Sequence, residues 1–432
     1  MDTNLIKEKI IATANEGSLW MKNIEAEIYK NPELGFKEHK TSALVQKAFS
    51  ELGIEYETSL AITGVKAKLK GRNSKFNLCI IGELDAVISP EHPNALPNGV
   101  VHACGHSAQI ATMLGVAYIL KKSGVMEYLD GDVTFMAVPA EEFIELDYRA
   151  ELKNQGKIKY FSGKQQLIYE GAFDDVDMAV MIHALSNQPD PTLHIKSSSL
   201  GFTSKKVIFK GKASHAAAPA DGTNALNAAA LAIIGIHSNR DTFREEERIR
   251  IHPIITKGGD VVNTVPDGVE MEMQVRGATP EAVDKASTVT NRSVLGAAQI
   301  IGAEVEINDI IGYLPLEENL GMVDVMEEVA KDFIGAENIK KDCAFAGSTD
   351  MGDVSAIMPA IHPTIGGFNG GLHSKNFKIA NEDIAILLPA KLMAAMAVKL
   401  LINGGEKAEA IKNNFVPHFT KEQYLKRLEG DV

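Results

Sequence analysis

The chain has 432 residues, 45% of them hydrophobic and 23% charged. That length and apolar content suffice for two domains with cores of their own, and they exclude wholesale disorder and fibrous architectures. Lys and Arg number 44 against 57 Asp and Glu, and the resulting net charge of −13 repels phosphate backbones and argues against nucleic acid as a partner.

The first predicted element is a helix from about Asn4 to Tyr29, stopped by Asn31-Pro32-Glu33-Leu34-Gly35, where proline cannot continue the ladder. A second helix, Thr41 to Leu52, closes at Gly53. Apolar runs at Gly64 to Lys70, Leu78 to Ile81 and Val133 to Val138 read as strands, with a helix from Ala108 to Leu120 between the last two. Strands apolar on both faces, alternating with helices, indicate an α/β sheet. Asp85, Glu141 and Glu142 fall just past the ends of such strands, where open α/β sheets place their active sites.

The middle of the chain changes period. Val269, Met271, Met273 and Val275 alternate with Glu270, Glu272, Gln274 and Arg276, the pattern of a sheet with one wet face. Strands near 202–211, 248–257, 268–277 and 304–311, with helices near 223–237 and 280–302, give a β-α-β-β-α-β order, the ferredoxin-like unit. The expectation is an inserted second domain over 199–311. A helix from Leu320 to Phe333 follows, then a loop-rich stretch from Gly347 to Gly371 and a last helix near 382–402.

That last helix carries Lys391 and Lys399, so it reads as buried in protein rather than spanning a membrane. Cys79, Cys104 and Cys343 are too few and too scattered for a disulfide framework. The first residues lack the basic-then-apolar plan of a secretory signal. The expectation is a soluble cytoplasmic protein without a membrane partner.

Four segments concentrate groups that bind metals or move protons. In His102-Ala103-Cys104-Gly105-His106 a thiol and an imidazole two residues apart can reach one cation. After the strand at Val138 come Pro139-Ala140-Glu141-Glu142, adjacent carboxylates whose repulsion and lost hydration call for a compensating cation. One can ligate while the other serves as a general base. His183 ends the run Met178-Ala179-Val180, and His373 follows Gly370-Gly371-Leu372. Either histidine alone is as well explained by packing; together the segments offer a ligand set suited to Zn, Mn, Co or Ni. The phosphate-binding glycine motifs are missing, and Gly347-Ser348-Thr349-Asp350 is not a nucleophile elbow.

In order, these segments resemble the M20 metallopeptidase family, specifically its amidohydrolase branch of N-acyl-amino-acid and aminobenzoyl-glutamate hydrolases. The resemblance runs through Asn31-Pro32-Glu33-Leu34-Gly35-Phe36 with Glu38 and Thr41, Glu83-Leu84-Asp85-Ala86, His102 to His106 and Pro139 to Glu142. It continues through Gly211-Lys212-Ala213-Ser214-His215, Asn263-Thr264-Val265-Pro266-Asp267 and His373-Ser374. The resemblance implies a zinc-peptidase-like α/β catalytic domain with an inserted ferredoxin-like α+β lid and dimerisation domain. It implies two divalent metal ions per subunit bridged by Cys104, with His106, Glu142, His183 and His373 as the other ligands. Glu141 takes the place of the general base, and Asp85 that of a residue orienting a ligand histidine. His215 stands where related dimers polarise the substrate carbonyl from the partner subunit. Asn263 and Arg276 match positions that recognise a substrate carboxylate, and Asp350 supports the same region.

Three features depart from that pattern. Ser107 replaces the Asp or Asn usual after His106. A polar segment of about Glu145 to Gln166 lengthens the interval between Glu142 and His183, and Pro90 to Pro97 extends the loop before His102. The expectation is a catalytic domain of 1–198 plus 312–432 and a lid of 199–311. The expected activity is metal-dependent hydrolysis of the amide of a small molecule bearing a free carboxylate, by a homodimer. A dipeptidase of the same family and a non-catalytic binding protein on the same scaffold are the competing readings.

Overall fold

The computed structural model describes residues 3–345 and 347–430. They form two compact units, one of residues up to Ser197, Glu317–Ala344 and from Asp353 onward, the other of Ser198–Leu316 and Phe345–Gly352.

The first unit is built on a six-stranded sheet in the order Tyr56–Leu60, Gly64–Leu69, Asp132–Val138, Asn77–Glu83, Met178–Val180, Ala360–Ile361. The last four strands run parallel and the first two form an antiparallel hairpin on the edge. Every residue of Asn77–Glu83 and Asp132–Val138 is buried, as their unbroken apolar runs require. Helix His106–Ser123 is buried along most of its length and packs on the sheet. A second small sheet joins Ile339–Lys340, Leu193–His194, Thr364–Ile365 and His183–Ala184.

The single N-terminal helix expected from the sequence is two, Thr3–Glu16 and Ser18–Lys30. At Gly17 a Cβ would stand 2.6 Å from the Tyr118 ring, so the chain bends where only glycine clears that side chain. The extra polar segment forms two helices, Leu146–Asn154 and Gly163–Glu170. The last helix, Asp383–Leu401, is long and apolar enough to cross a membrane by length and composition, but 72% of its most apolar window is buried inside the protein.

The second unit has an antiparallel sheet in the order Arg250–Lys257, Gly268–Gly277, Gly201–Lys210, Glu304–Ile311. Helices Ala225–Ser238 and Pro280–Ile301 cover one face, where Val207, Phe209, Val269, Met271 and Val294 meet Ala228, Ala229 and Ala232. This strand order and connectivity are ferredoxin-like. The unit also holds Phe345–Gly352, beyond the 199–311 expected for it. Arg248 donates to Ser198 Oγ (3.2 Å) and Phe345 O (3.3 Å), and Arg276 to Ser348 Oγ (2.7 Å). Residues 312–316 stay with it too, through Gly312 N to Phe202 O (3.1 Å) and Leu316 N to Ser199 Oγ (3.2 Å).

Candidate metal centre

Three parallel strands of the first unit end at one place. Asn77–Glu83 delivers Glu83 and then Asp85; Asp132–Val138 delivers Glu141 and Glu142; Met178–Val180 leads to His183, held by the parallel pairing of His183–Ala184 with Thr364–Ile365. Helix His106–Ser123 starts at the same place, and Gly105 before it has φ 91° with a would-be Cβ 2.6 Å from Ala184 Cβ. Only glycine lets Cys104 and His106 approach His183 so closely. His373 sits at φ 60°, its amide donating to Ala103 O at 2.7 Å.

The five side chains singled out as ligands converge. Cys104 Sγ lies 3.4 Å from His183 Nε2 and 3.2 Å from His373 Nε2, and His373 Nε2 lies 2.9 Å from Glu142 Oε1. Donor atoms of Cys104, His106 and His183 lie within 4.8 Å of one another, as do those of Cys104, Glu142 and His373, and those of Glu83, His106 and Glu141. Cys104 and His106 each belong to two of the three groups. The donor set fits divalent ions: mixed sulfur, nitrogen and oxygen suits Zn, Mn, Co or Ni. Buried Glu83 Oε2, His106 Nε2 and Glu142 Oε1 make no hydrogen bond to the described residues, a costly arrangement unless a cation satisfies them.

The ring nitrogens are assigned by their other contacts. His106 Nδ1 donates to Asp85 O at 2.8 Å and lies 3.4 Å from Asp85 Oδ1, so Nε2 keeps its lone pair for an ion. His183 Nδ1 donates to Ala184 O at 3.0 Å, which leaves Nε2 facing the thiol. Asp85 Oδ2 also accepts from Glu142 N at 2.9 Å, tying the two strand ends together.

The N-terminal motif supports this loop. Glu33 accepts from Lys40 N, Thr41 N and Thr41 Oγ1 at 2.9–3.1 Å and fixes the start of helix His39–Leu52. Glu38, fully buried, accepts from Ala140 N at 2.8 Å and Thr63 Oγ1 at 2.6 Å. From helix Leu146–Asn154 the buried Arg149 guanidinium donates to Ala140 O (3.4 Å), Phe161 O and Glu142 O. It lies over the Phe36 and Phe143 rings at 5.4 and 5.9 Å. These contacts hold Ala140 at φ 55°, unusual for a residue with a Cβ.

Electrostatics follow burial and charge. Burial, and then Glu142, push the ion-free Cys104 thiol well above its ordinary range, so a divalent cation is what would hold it as thiolate. Burial, and then the His106 charge, hold His102 and His183 below the usual histidine value, His102 at about 3. Burial, and then Asp85, raise Glu38. Burial opposes ionisation of Glu83, but Lys164 and His106 outweigh it and pull the carboxylate down. Ser107, the departure after His106, donates to Glu25 Oε1 at 2.8 Å.

His215, Asn263 and Arg276 lie in the second unit. His215 pairs with Thr264 across an isolated bridge, and Ala216 N donates to Asn263 O at 2.9 Å, so His215 and Asn263 are neighbours. His215 Nδ1 accepts from Ala217 N at 3.0 Å, which puts the proton of the neutral ring on Nε2. Arg276 is half-buried, donates to Ser348 Oγ and Gln274 Oε1, and lies 5.3 Å from the Phe202 ring. Asp350 is buried in the same unit.

Sequence reasoning gave no role to Glu83, Lys164, Arg149 or His362. Lys164 Nζ pairs with Glu83 Oε1 at 2.6 Å with both side chains fully buried, and the His362 ring meets His183 edge-on at 5.6 Å. A usable signal existed only for Glu83, a carboxylate closing the apolar run Leu78 to Ile81.

The sequence profile of Peptidase family M20/M25/M40 matches residues 79–397. Thermostable carboxypeptidase 2 of Saccharolobus solfataricus is 27% identical over 408 residues, covering 91% of this chain and 98% of that protein. IAA-amino acid hydrolase ILR1-like 2 of Arabidopsis thaliana is 26% identical over 422 residues, covering 93% and 90%. Among solved structures, the Bacillus subtilis YXEP protein, described as a dinuclear metal binding peptidase of the M20 family, superposes with a TM-score of 0.68 at 23% identity, covering 90% of this chain and 99% of that one.

Proposed function

The chain belongs to peptidase family M20/M25/M40, and on that premise we propose that this metallo-hydrolase cleaves the amide bond of N-acyl amino acids or aminobenzoyl-glutamate-like substrates. The observation that carries the reading is the convergence of Cys104, His106, Glu142, His183 and His373. The names of the carboxypeptidase and the IAA-amino acid hydrolase support a substrate whose amine side is an amino acid with its carboxylate free.

Cys104, His106 and His183 would hold one divalent ion and Cys104, Glu142 and His373 a second. Ions bound there would supply Lewis acidity, which polarises the amide carbonyl and makes water a better nucleophile at neutral pH. Glu141 takes the proton from the attacking water and delivers it to the leaving nitrogen. Asp85 holds His106 in the tautomer that presents Nε2. His215 donates a hydrogen bond from Nε2–H to the carbonyl oxygen, and Asn263 and Arg276 hold the substrate carboxylate, Arg276 through its planar fork. The first unit is the catalytic domain and the ferredoxin-like unit its lid.

The chain acts as a homodimer in this proposal. Exposed Ile254 and Ile255 on the strand Arg250–Lys257, and Ile234, Leu295 and Ile300 on the two helices, support a second copy pairing along that edge. His215 then serves the partner's site. The three cysteines are free, which suits a reducing compartment such as the cytoplasm.

The test is to strip the protein of metal, restore Mn, Zn or Co, and assay N-acyl amino acids, aminobenzoyl-glutamate and free-amine dipeptides. Turnover of acylated substrates that vanishes in Glu141→Gln, with metal still bound, is the expected result. Turnover confined to dipeptides overturns the substrate class. Mixing inactive Glu141→Gln and His215→Ala subunits should restore activity in the hybrid; a verified hybrid with none refutes the shared site.

A further inference from the structure

We propose that Glu83 is a sixth protein ligand of the metal centre, binding through Oε2 the ion that His106 Nε2 holds; this rests on the metal-dependent reading above. Nothing in the motif reading or the family match assigns it that part.

The geometry is that of two donors sharing an ion. Glu83 Oε2 lies 3.1 Å from His106 Nε2, with both side chains fully buried. Two atoms each about 2.1 Å from one ion are about 3.0–3.4 Å apart, depending on the angle between them. Despite that closeness the pair is not aligned as donor and acceptor, and neither atom makes a hydrogen bond to the described residues. His106 Nδ1 donates to Asp85 O, so the ring in its neutral form presents a lone pair at Nε2. A divalent ion that takes the place of a proton on Nε2 has both Nε2 and Glu83 Oε2 within reach. The other Glu83 oxygen is held by Lys164 Nζ at 2.6 Å, which fixes the carboxylate's rotation and leaves Oε2 as its ligating atom.

The chemistry of the two ion positions favours the same conclusion. Cys104, Glu142 and His373 give one ion sulfur, oxygen and nitrogen; Cys104, His106 and His183 give the other no oxygen. Glu83, whose donor atom groups with those of His106 and Glu141, supplies oxygen at the His106 end, so that both ends of the centre offer sulfur, nitrogen and oxygen. Such a set favours Mn, Co and Zn over softer monovalent ions. Lys164 offsets the added charge, so that the carboxylate contributes a donor atom without making the centre strongly anionic.

The experiment compares the wild-type chain with Glu83→Gln, whose amide oxygen can still accept from Lys164, and with the double variant Glu83→Leu/Lys164→Met, which removes both buried charges. Metal-free protein is titrated with Co(II), bound metal is counted by equilibrium dialysis, and the visible Co(II) spectrum reports coordination at each ion. Wild type should take up two equivalents. In each folded variant one equivalent should weaken by at least about 10-fold, its visible bands should shift, and the other should keep its affinity. Two equivalents bound at wild-type affinity with an unchanged spectrum, in either folded variant, overturn the assignment. Wild-type protein that binds no divalent ion sinks the hydrolase reading itself, a result distinct from an unmoved variant.

Discussion

Replacing Arg149 with methionine tests whether the extra polar segment braces the metal centre. The guanidinium is buried and donates to the carbonyls of Ala140, Phe161 and Glu142. Methionine fills the volume and supplies no donor. The carbonyls of Ala140 and Glu142 keep backbone donors, Gly163 N and Ile144 N, so the cost of about 1–3 kcal/mol for a carbonyl left without a partner falls on Phe161 O, and each lost ring contact costs about 0.5–1 kcal/mol. Relief of the buried guanidinium's desolvation works the other way, so the low end of these ranges is appropriate, about 2 kcal/mol in all. The effect on function is larger than that figure suggests. Ala140 is held at φ 55°, a conformation costing about 1–2 kcal/mol that relaxes once Gly163 N is its carbonyl's remaining donor. The residues displaced by the relaxation are Glu141 and Glu142. A shift of about 1 Å at a reacting group costs about 100-fold in rate, and movement of Glu142 weakens its ion as well. Urea unfolding of the metal-free chain measures the first effect; metal affinity and kcat against KM measure the second. Arg149→Lys should recover part of the stability, because an ammonium reaches one carbonyl but cannot span three. Arg149→Met within about 0.5 kcal/mol of wild type, with wild-type kcat, would refute the brace.

Gly105→Ala should destabilise by at least about 2 kcal/mol and weaken metal binding, because the new methyl at φ 91° meets Ala184 Cβ at 2.6 Å; thermal unfolding with and without Mn checks both. Burial raises the Glu25 carboxyl to about 7 against an ordinary 4.5. Its folded form therefore holds a proton that the unfolded chain has lost, and stability present below about pH 4.5 should drain away up to about pH 7, by up to about 3 kcal/mol. Glu25→Gln, which keeps an acceptor for Ser107, should flatten that slope in urea titrations across the interval; an unchanged slope means that Glu25 is not its source. Chelating the ions should lower the melting temperature, since ligand at about 100 times its Kd contributes about 2.7 kcal/mol; calorimetry that finds equal melting temperatures with and without chelator counts against bound metal in the native state.

The parts of the centre legible in the sequence are those that local pattern determines. An apolar run such as Val133 to Val138, alternating with helices, reads as a buried strand, and the donors just past it then lie at the sheet's carboxyl edge. Glu141, Glu142 and His183 were therefore readable from position alone, and the alternation over Val269 to Val275 exposed the one-sided sheet of the second unit in the same way. What stayed hidden has partners that leave no periodic trace. Arg149, within Leu146-Asp147-Tyr148-Arg149-Ala150-Glu151, reads as one more charge on a solvated helix, because backbone carbonyls accept its hydrogen bonds and every residue has a carbonyl. Glu25 and Ser107 meet across 82 positions, and the bend at Gly17 is set by the distant Tyr118 ring. The visible and hidden parts depend on each other physically. Ala140 and His373 stand at positive φ, and a strand-end loop carrying closely spaced carboxylates holds that shape only against repulsion and backbone strain. Glu38, Asp85 and Arg149 bind the loop's amides and carbonyls from three separate elements. The donors are therefore placed before any ion arrives, and little of the ion's binding energy is spent on ordering them.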